Sequence, residues 1–206
     1  MEIYNNPQEE FWAGEFGDQY LIRNKITPDI LSSRIANWAK MLKNINPKPK
    51  TILELGCNIG ANLLALKTLL PNVNIEAVEI NKKAADIASK TGCKIYNTSI
   101  LNFKSNTKYD LCFTSGVLIH INPEVLNDVY QIIYNLSNSY IILSEYYNPT
   151  PIDVIYRGNK DKLFKRDFAG EMLDIYKNLL LLDYGFFYHR DELTKGDDAT
   201  WFLLKK

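Results

Sequence analysis

Two kinds of apolar segment alternate along this chain from residue 51 onward. Short continuous apolar runs predict buried strands at 51–55, 74–79, 93–96, 109–115 and 139–145. Between them, segments with the helical period predict helices at 60–70, at 82–90, from Pro123 onward and at 167–178. This alternation is typical of a largely parallel sheet with helices on both faces.

The end of the chain departs from the alternation. Strands are predicted at 180–188 and 200–204, and only the polar loop 190–198 separates them. That connection is too short for a helical crossover and long enough for an antiparallel return. We therefore predict a single α/β domain, residues 1–206, with a seven-stranded, mostly parallel sheet whose last strand is antiparallel.

The N-terminal lead-in, residues 1–27, is aromatic and acidic and contains Gly14 and Gly17. Two glycines among four aromatic residues are not typical of an ordinary amphipathic helix, so we expect a segment folded over something flat or charged. A helix is predicted at 28–45, with Thr27 as its N-cap. Its apolar positions follow the helical period and are expected to pack on the sheet.

A glycine turn, Gly56–Gly60, follows the first predicted strand and leads into a helix. This arrangement favours a nucleotide-type ligand, because the backbone approaches it closely and the helix N-terminus offers free N–H groups. In the G-x-G-x-x-G fingerprint the second glycine makes room for a pyrophosphate, and Asn58 stands there in this chain. We therefore predict S-adenosylmethionine (SAM) rather than NAD or FAD. The expected contacts in this stretch are Glu54, Gly56, Cys57, Asn58 and Gly60.

Residues at the ends of the next strands complete the predicted cofactor site. Glu79 ends the second strand, where a carboxylate can bind a ribose diol; the alternative is an acid that caps a helix. Ser99 and Ile100 follow the third strand, where they would meet an adenine ring or form a plain loop. The remaining predicted cofactor contacts are Ile80, Ser115 and Gly116.

Two residues are predicted to act in proton transfer. His120 has an ordinary pKa near neutrality and suits a general base, and it equally suits a packed histidine that orients its loop. Glu145 ends the fifth strand, at the sheet edge where ligands bind.

The segment after the fifth strand predicts the acceptor side. Tyr146 and Tyr147 offer stacking and hydrogen-bonding groups for a polyhydroxylated substrate, or belong to an exposed loop. Residues 156–168 hold five cations against two acids. They predict a lobe that binds a carboxylate or phosphate on a small-molecule acceptor, with a solvated basic face as the alternative.

Composition narrows the classes of partner. The chain has 24 basic and 24 acidic residues, so its net charge favours neither nucleic acid nor a membrane surface. No run approaches 18 apolar residues, and no signal peptide is recognisable. The three cysteines are expected to be small buried residues rather than a disulfide or a metal site. We expect a cytoplasmic monomer or small homo-oligomer.

Several stretches resemble the pseudaminic acid biosynthesis-associated methylases, a family of class I SAM-dependent methyltransferases. They are FWAGEFG (11–17) with Tyr20, Arg23 and Asn24, GVLIHINP (116–123), EYYNPTP (145–151) with 156–158, LFKRDFAGEML (163–173), and parts of 183–204. The resemblance covers nearly the whole chain. It implies a Rossmann-like fold, SAM as cofactor, S-adenosylhomocysteine (SAH) as product, and a link to nonulosonic acid or surface-glycan biosynthesis.

The resemblance also implies further site residues. Tyr20 and Arg23 would close over the cofactor, with Arg23 paired to its carboxylate, and Trp12 and Phe16 would cover the sulfonium or the acceptor. The implied acceptor-side residues are Tyr146, Tyr156, Arg157, Lys165 and Arg166.

The predicted function is methyl transfer from SAM to a small anionic sugar-like acceptor. The alternatives are another small metabolite as acceptor, or a SAM-binding accessory protein without catalysis. The domain would then consist of a cap and helix (1–45), a SAM-binding core (50–145) and an acceptor-side part (146–206).

Overall fold

A seven-stranded sheet forms the centre of the computed structural model, which describes residues 4–206. Five of its strands are β1 Thr51–Leu55, β2 Asn74–Glu79, β3 Lys94–Asn97, β4 Tyr109–Ser115 and β5 Ser137–Glu145. A separate hairpin pairs β6 Ile152–Asp153 with β7 Phe164–Lys165, and the sheet is completed by β8 Leu180–Phe187 and β9 Ala199–Lys205. The sequence predicts all seven strands of the sheet to within two residues at each end, and it does not predict the hairpin.

Helices cover both faces of the sheet. Their bounds are α1 Pro7–Ala13, α2 Glu15–Arg23, α3 Pro28–Met41, α4 Ala61–Leu69, α5 Lys82–Ala88, α6 Leu126–Leu136 and α7 Phe168–Ile175. Short 3₁₀ turns lie at Ser89–Thr91, Leu118–His120 and Pro123–Val125. The cap predicted for α3 is confirmed, since the side chain of Thr27 accepts from the N–H of Ile30 at 3.3 Å. Within residues 4–206, no helix is both long and apolar enough to cross a membrane.

The strand order is β3-β2-β1-β4-β5-β9-β8. Strand β1 pairs in parallel with β2 and β4, while β9 runs antiparallel to both β5 and β8. The predicted layout, parallel with an antiparallel last strand, is confirmed. Because the chain leaves β1 toward one edge and β4 toward the other, a crevice opens at the carboxyl ends of these two strands.

Each face of the sheet has its own hydrophobic core. Tyr130 of α6 packs against one face, and Trp38 of α3 and Leu66 of α4 pack against the other. All three are almost fully buried. The expectation that the apolar side of α3 packs on the sheet therefore holds for Trp38, whereas Ile30, at the start of the helix, is 37% exposed.

The N-terminal lead-in forms two short helices, which the sequence did not predict. Asn6 caps α1 by accepting hydrogen bonds from two backbone N–H groups, and extended backbone at Gly14 separates α1 from α2. Each helix is shorter than three turns, so neither shows a recognisable amphipathic period. We call α1 and α2 together the cap. Residues 1–3, the start of the predicted lead-in, lie outside the described part of the chain.

We predict that Gly185→Ala destabilises the protein by about 1–3 kcal/mol, the usual cost of overpacking a filled core. A Cβ at this position of β8 would lie 2.8 Å from the indole of Trp201, which is only 6% exposed and rigid. Gly196→Ala is the matched control, because its Cβ would meet nothing closer than 4.0 Å. Denaturant unfolding of the three proteins measures the difference. Equal stability of both variants would contradict this account of the packing.

Candidate functional site

A cavity of about 310 Å³ lies at the carboxyl ends of β1, β2 and β4. Gly56, Glu79 and Ser115, the residues that end or follow these strands, all line it. This is the position at which open α/β sheets bind ligands. The cap, the start of α3 and the loop between β8 and β9 close the cavity from the other side.

The glycine turn has the geometry that its sequence predicts. Gly56, Asn58 and Gly60 all adopt positive φ, of 81°, 47° and 85°. At Gly56 a side chain is also excluded by space, since a Cβ would lie 2.6 Å from the side chain of Val117. Asparagine tolerates this backbone region better than most residues. The left-handed Asn58 directs its N–H to Glu79 Oε2 at 2.7 Å.

Glu79 is a buried carboxylate held by backbone donors. Oε2 accepts from Asn58, and Oε1 accepts from the N–H of Asn81 at 2.8 Å. Burial raises the pKa of Glu79, and these hydrogen bonds oppose the rise. The helix-capping alternative does not apply, because Asn81 is the residue whose side chain caps α5. The carboxylate borders the cavity with lone pairs to spare, as binding a diol requires.

A buried polar chain occupies another part of the cavity wall. Trp38 Nε1 donates to Asn62 Oδ1 at 3.1 Å, and Asn62 Nδ2 donates to Glu54 Oε1 at 2.7 Å. Glu54 Oε2 is buried and has no hydrogen-bond partner within residues 4–206. Burial raises the pKa of Glu54 to about 8, opposed by the bond from Asn62 and the charge of Arg34.

Two residues of α3 that the sequence did not suggest also line the cavity. They are Arg34 and Asn37, and Asn37 Oδ1 is another buried oxygen without a partner in the described chain. Arg34 places a positive charge near Glu54. The sequence did contain a sign of this, since Arg34 and Asn37 are polar residues three apart on the side of the helix that also carries Trp38. The helical period alone could not show that this side borders a cavity.

The predicted adenine contacts line the cavity on its opposite flank. Ser99 Oγ accepts from the N–H of Asn102 at 3.1 Å and from Asn5 Nδ2 at 3.4 Å. Ile100 adds an apolar surface beside it. The remaining predicted cofactor residues that line the cavity are Cys57, Ile80 and Gly116.

His120 lies in a cluster of aromatic rings. Its Nδ1 is 2.6 Å from the carbonyl oxygen of Lys162. A carbonyl can only accept, so Nδ1 carries the proton and Nε2 keeps a free lone pair. Burial lowers the pKa of His120 to about 4, which keeps the ring neutral at pH 7.

The rings around His120 come from the cap and from the loop between β6 and β7. Trp12 lies 4.4 Å from His120 and 5.3 Å from Tyr20, and Tyr156 lies 5.1 Å from His120, measured between ring centroids. With Tyr146 these rings line the cavity. Trp12 Nε1 is buried and has no acceptor in the described chain. The structure thus brings four predicted aromatic residues together with His120.

Several predicted site residues lie outside the cavity lining. Arg23 stacks on the rings of Phe16 and Tyr20 at the exposed face of α2, whereas Arg34 lines the cavity and lies near Glu54. The others outside the lining are Gly60, Phe16, Glu145, Tyr147, Arg157, Lys165 and Arg166.

The basic segment directs its predicted cations away from the cavity. Arg157 lies over the ring of Tyr156, and Lys165 lies over the ring of Tyr146. Arg166 pairs with Glu171 at 2.8 Å. The alternative of a solvated basic face fits the exposed Arg157, whereas Lys165 and Arg166 are half-buried, and none of the three lines the cavity.

Glu145 supports a loop rather than facing the cavity. Its carboxylate accepts from the N–H of Val117 at 3.0 Å and from that of Ile119 at 3.4 Å. Burial raises its pKa to about 7, against these bonds. This position favours holding the loop after β4 over the predicted role in proton transfer.

Comparison with known sequences does not assign the chain to a family. No protein-family model matches the chain. A curated relative, an uncharacterized protein of Rickettsia prowazekii (strain Madrid E), is 31% identical over 121 residues. The match covers 53% of this chain and 48% of the relative, so it spans about half the length of that protein.

Solved structures resemble the chain over nearly its whole length. A magnesium protoporphyrin IX methyltransferase of Synechocystis PCC 6803 with bound SAM has a TM-score of 0.71 at 12% identity, with 100% of both chains covered. The 1,6-didemethyltoxoflavin-N1-methyltransferase of Burkholderia thailandensis has a TM-score of 0.68 at 12% identity, covering 100% of this chain and 92% of that one. The N-methyltransferase NodS of Bradyrhizobium japonicum WM9, with SAH, has a TM-score of 0.65 at 14% identity, covering 89% and 90%. This chain has the class I SAM-dependent methyltransferase fold.

We predict that Glu54→Gln stabilises the cofactor-free protein at pH 8 and changes its stability little at pH 4.5. The folded pKa of about 8 exceeds the ordinary value of 4.5, so the wild type loses stability as the pH rises through this window. Glutamine keeps the bond from Asn62 and does not titrate. We expect a gain of about 1–3 kcal/mol at pH 8, after relaxation reduces the full effect of the shift.

Denaturant unfolding at both pH values measures this gain. Glu124→Gln, which changes an exposed acid, is the control and should show no such difference. An equal effect of Glu54→Gln at the two pH values would contradict the raised pKa.

Proposed function

We propose that this chain is a SAM-dependent methyltransferase that acts on a small molecule. The observation that carries the proposal is the presence of two complementary binding groups in one cavity. Glu79 offers a carboxylate to a ribose diol, while Arg34 and the unpartnered oxygens of Glu54 and Asn37 match the carboxylate and ammonium of an amino acid. SAM joins a nucleoside to an amino acid, whereas NAD and FAD contain no amino acid. The solved neighbours with bound SAM or SAH support the same ligand.

When bound, SAM supplies a methyl group on an already activated sulfonium. The remaining tasks of the protein are alignment of the acceptor and exclusion of water. The rings of Trp12, Tyr20 and Tyr156 suit both, since they enclose the cavity and aromatic faces attract positive charge. His120 Nε2 is the atom we assign to accept the hydrogen bond of an acceptor hydroxyl or amine.

For the acceptor we propose a sugar-like molecule of the nonulosonic acid or surface-glycan type. The resemblance to the pseudaminic acid-associated methylases supports this class, and the hydroxyls of Tyr20, Tyr146 and Tyr156 suit a polyhydroxylated molecule. A carboxylate or phosphate on the acceptor would meet Lys25 or Lys195, which line the cavity. The cytoplasmic location stays a prediction.

We predict that Arg34→Met weakens SAH binding at least about tenfold, the loss expected for one charge-assisted hydrogen bond. Arg23→Met is the matched control, because Arg23 is also an arginine near the cap but lies outside the cavity. It should bind SAH like the wild type. Isothermal calorimetry measures both. A loss in the control and not in Arg34→Met would restore the original assignment of Arg23.

A pair of substitutions at His120 separates its two proposed roles. His120→Asn can keep the donor to the carbonyl of Lys162 and lacks an atom at Nε2. His120→Gln places its amide nearer the position of Nε2 and loses the contact with Lys162. If Nε2 accepts from the substrate, His120→Asn should lower kcat about 10²-fold or more with SAH affinity unchanged.

The measurement is SAH release from a panel of hydroxylated acids and amines. Wild-type rates in His120→Asn would assign the residue to loop packing alone. SAH binding without release from any acceptor would favour an accessory protein that binds SAM without catalysis.

A further inference from the structure

We infer that Asn81 is a positioning residue that fixes the cap over the cavity and links it to the carboxylate of Glu79. The inference rests on the proposed function, because it assigns Glu79 to the cofactor. Asn81 is only 4% exposed and stands two residues after Glu79, at the N-terminus of α5. Every polar atom of its side chain is engaged.

One half of Asn81 is tied to the core. Its backbone N–H donates to Glu79 Oε1 at 2.8 Å, and its Oδ1 accepts from the N–H of Ala84 at 2.9 Å. The second bond caps α5 and leaves the side chain little rotational freedom. Together they direct the amide NH₂ toward the cap.

The other half of Asn81 holds the cap. Nδ2 lies 3.3 Å from the carbonyl oxygens of Trp12 and Ala13, and 3.0 Å from Asp18 Oδ1. The two carbonyls belong to the last residues of α1, where helix carbonyls lack intrahelical partners. Asp18 lies in α2, and its second oxygen pairs with Lys83 at 2.6 Å. A single amide group thus donates to acceptors in both helices of the cap, at the point where the helices meet.

Gly17 gives independent evidence that α2 packs closely against the end of α1 and Asn81. This residue is buried, and a Cβ there would lie 1.9 Å from the carbonyl oxygen of Trp12 and 2.9 Å from Asn81 Nδ2. No side chain fits at Gly17 without moving α2 away from the carbonyl of Trp12, which itself contacts Asn81. The absence of a Cβ allows the contact on which the cap depends.

The cap carries two of the rings that line the cavity, Trp12 and Tyr20. Their placement therefore depends on the same residue that donates to the carboxylate of Glu79. Occupation of Glu79 by a ribose and the positions of Trp12 and Tyr20 are therefore connected through one residue, by its backbone N–H on one side and its side-chain amide on the other. Asn81 also borders the cavity, and the role we assign to it is to act on catalysis through these groups.

The test is Asn81→Asp, which keeps the cap of α5 and the backbone bond to Glu79. It replaces the amide donor by an oxygen that faces three other oxygens. We expect SAH to bind within about threefold of wild type, since the ribose carboxylate remains in place. Amide exchange over residues 7–23 of the SAH-bound protein should rise at least about tenfold, and kcat/KM should fall by a similar factor.

Two further variants test the contact from the side of the cap. Asn81→Asp combined with Asp18→Asn reverses donor and acceptor, and it should recover part of the lost protection and activity. Gly17→Ala should reproduce the faster exchange of residues 7–23 with residues 51–145 unchanged. Asp86→Asn, on the exposed side of the same helix, is the control and should behave like wild type.

Wild-type exchange over 7–23 and wild-type kcat/KM in Asn81→Asp would show the inference to be wrong. A rise of equal size across residues 51–145 would also overturn it, because Asn81 would then serve the folding of the core. Failure of the wild-type protein to bind SAH would reject the proposed function instead. Exchange in the cofactor-free proteins would still test the hold of Asn81 on the cap.

Discussion

The buried carboxylate of Glu79 joins the backbone segments that shape the cavity. One oxygen accepts from the turn after β1 and the other accepts from the start of α5. A carboxylate removed from water needs hydrogen-bond donors. The N–H groups of Asn58 and Asn81 in turn need an acceptor, so the same bonds hold both backbone segments in place. The left-handed conformation of Asn58 follows from this arrangement, because it brings the N–H to Oε2. Through Asn81 the same anchor extends to the cap.

The sheet could be predicted because its strands are short, continuous apolar runs separated by clear turn residues. The glycine turn could also be predicted, since Gly56 and Gly60 stand where the backbone needs positive φ. The two helices of the cap could not be predicted, because each is too short to display a helical period. The choice between Arg23 and Arg34 was out of reach for a different reason. Both lie on helices, and only the packing decides which of them borders the cavity.

The sequence also does not show where a charged side chain points. The cations of residues 156–168 predicted an anion site, yet Arg157 and Lys165 lie over the rings of two tyrosines that line the cavity and do not line it themselves. Buried acids show the same ambiguity. Glu54 is the next-to-last residue of β1 and Glu145 is the last residue of β5, and both have raised pKa values. Glu145 is occupied by backbone donors, whereas one oxygen of Glu54 has no partner among residues 4–206. This difference supports our proposal that Glu54, and not Glu145, binds a ligand.

The aromatic wall stands apart from the two cores of the domain. Trp12 and Tyr20 belong to the cap, and Tyr156 belongs to the loop around the hairpin, so none of them is a member of either buried cluster. We therefore expect substitutions at these positions to leave the packing of both cores intact. A lineage with this architecture can therefore explore new acceptors while it inherits the same cofactor-binding framework unchanged.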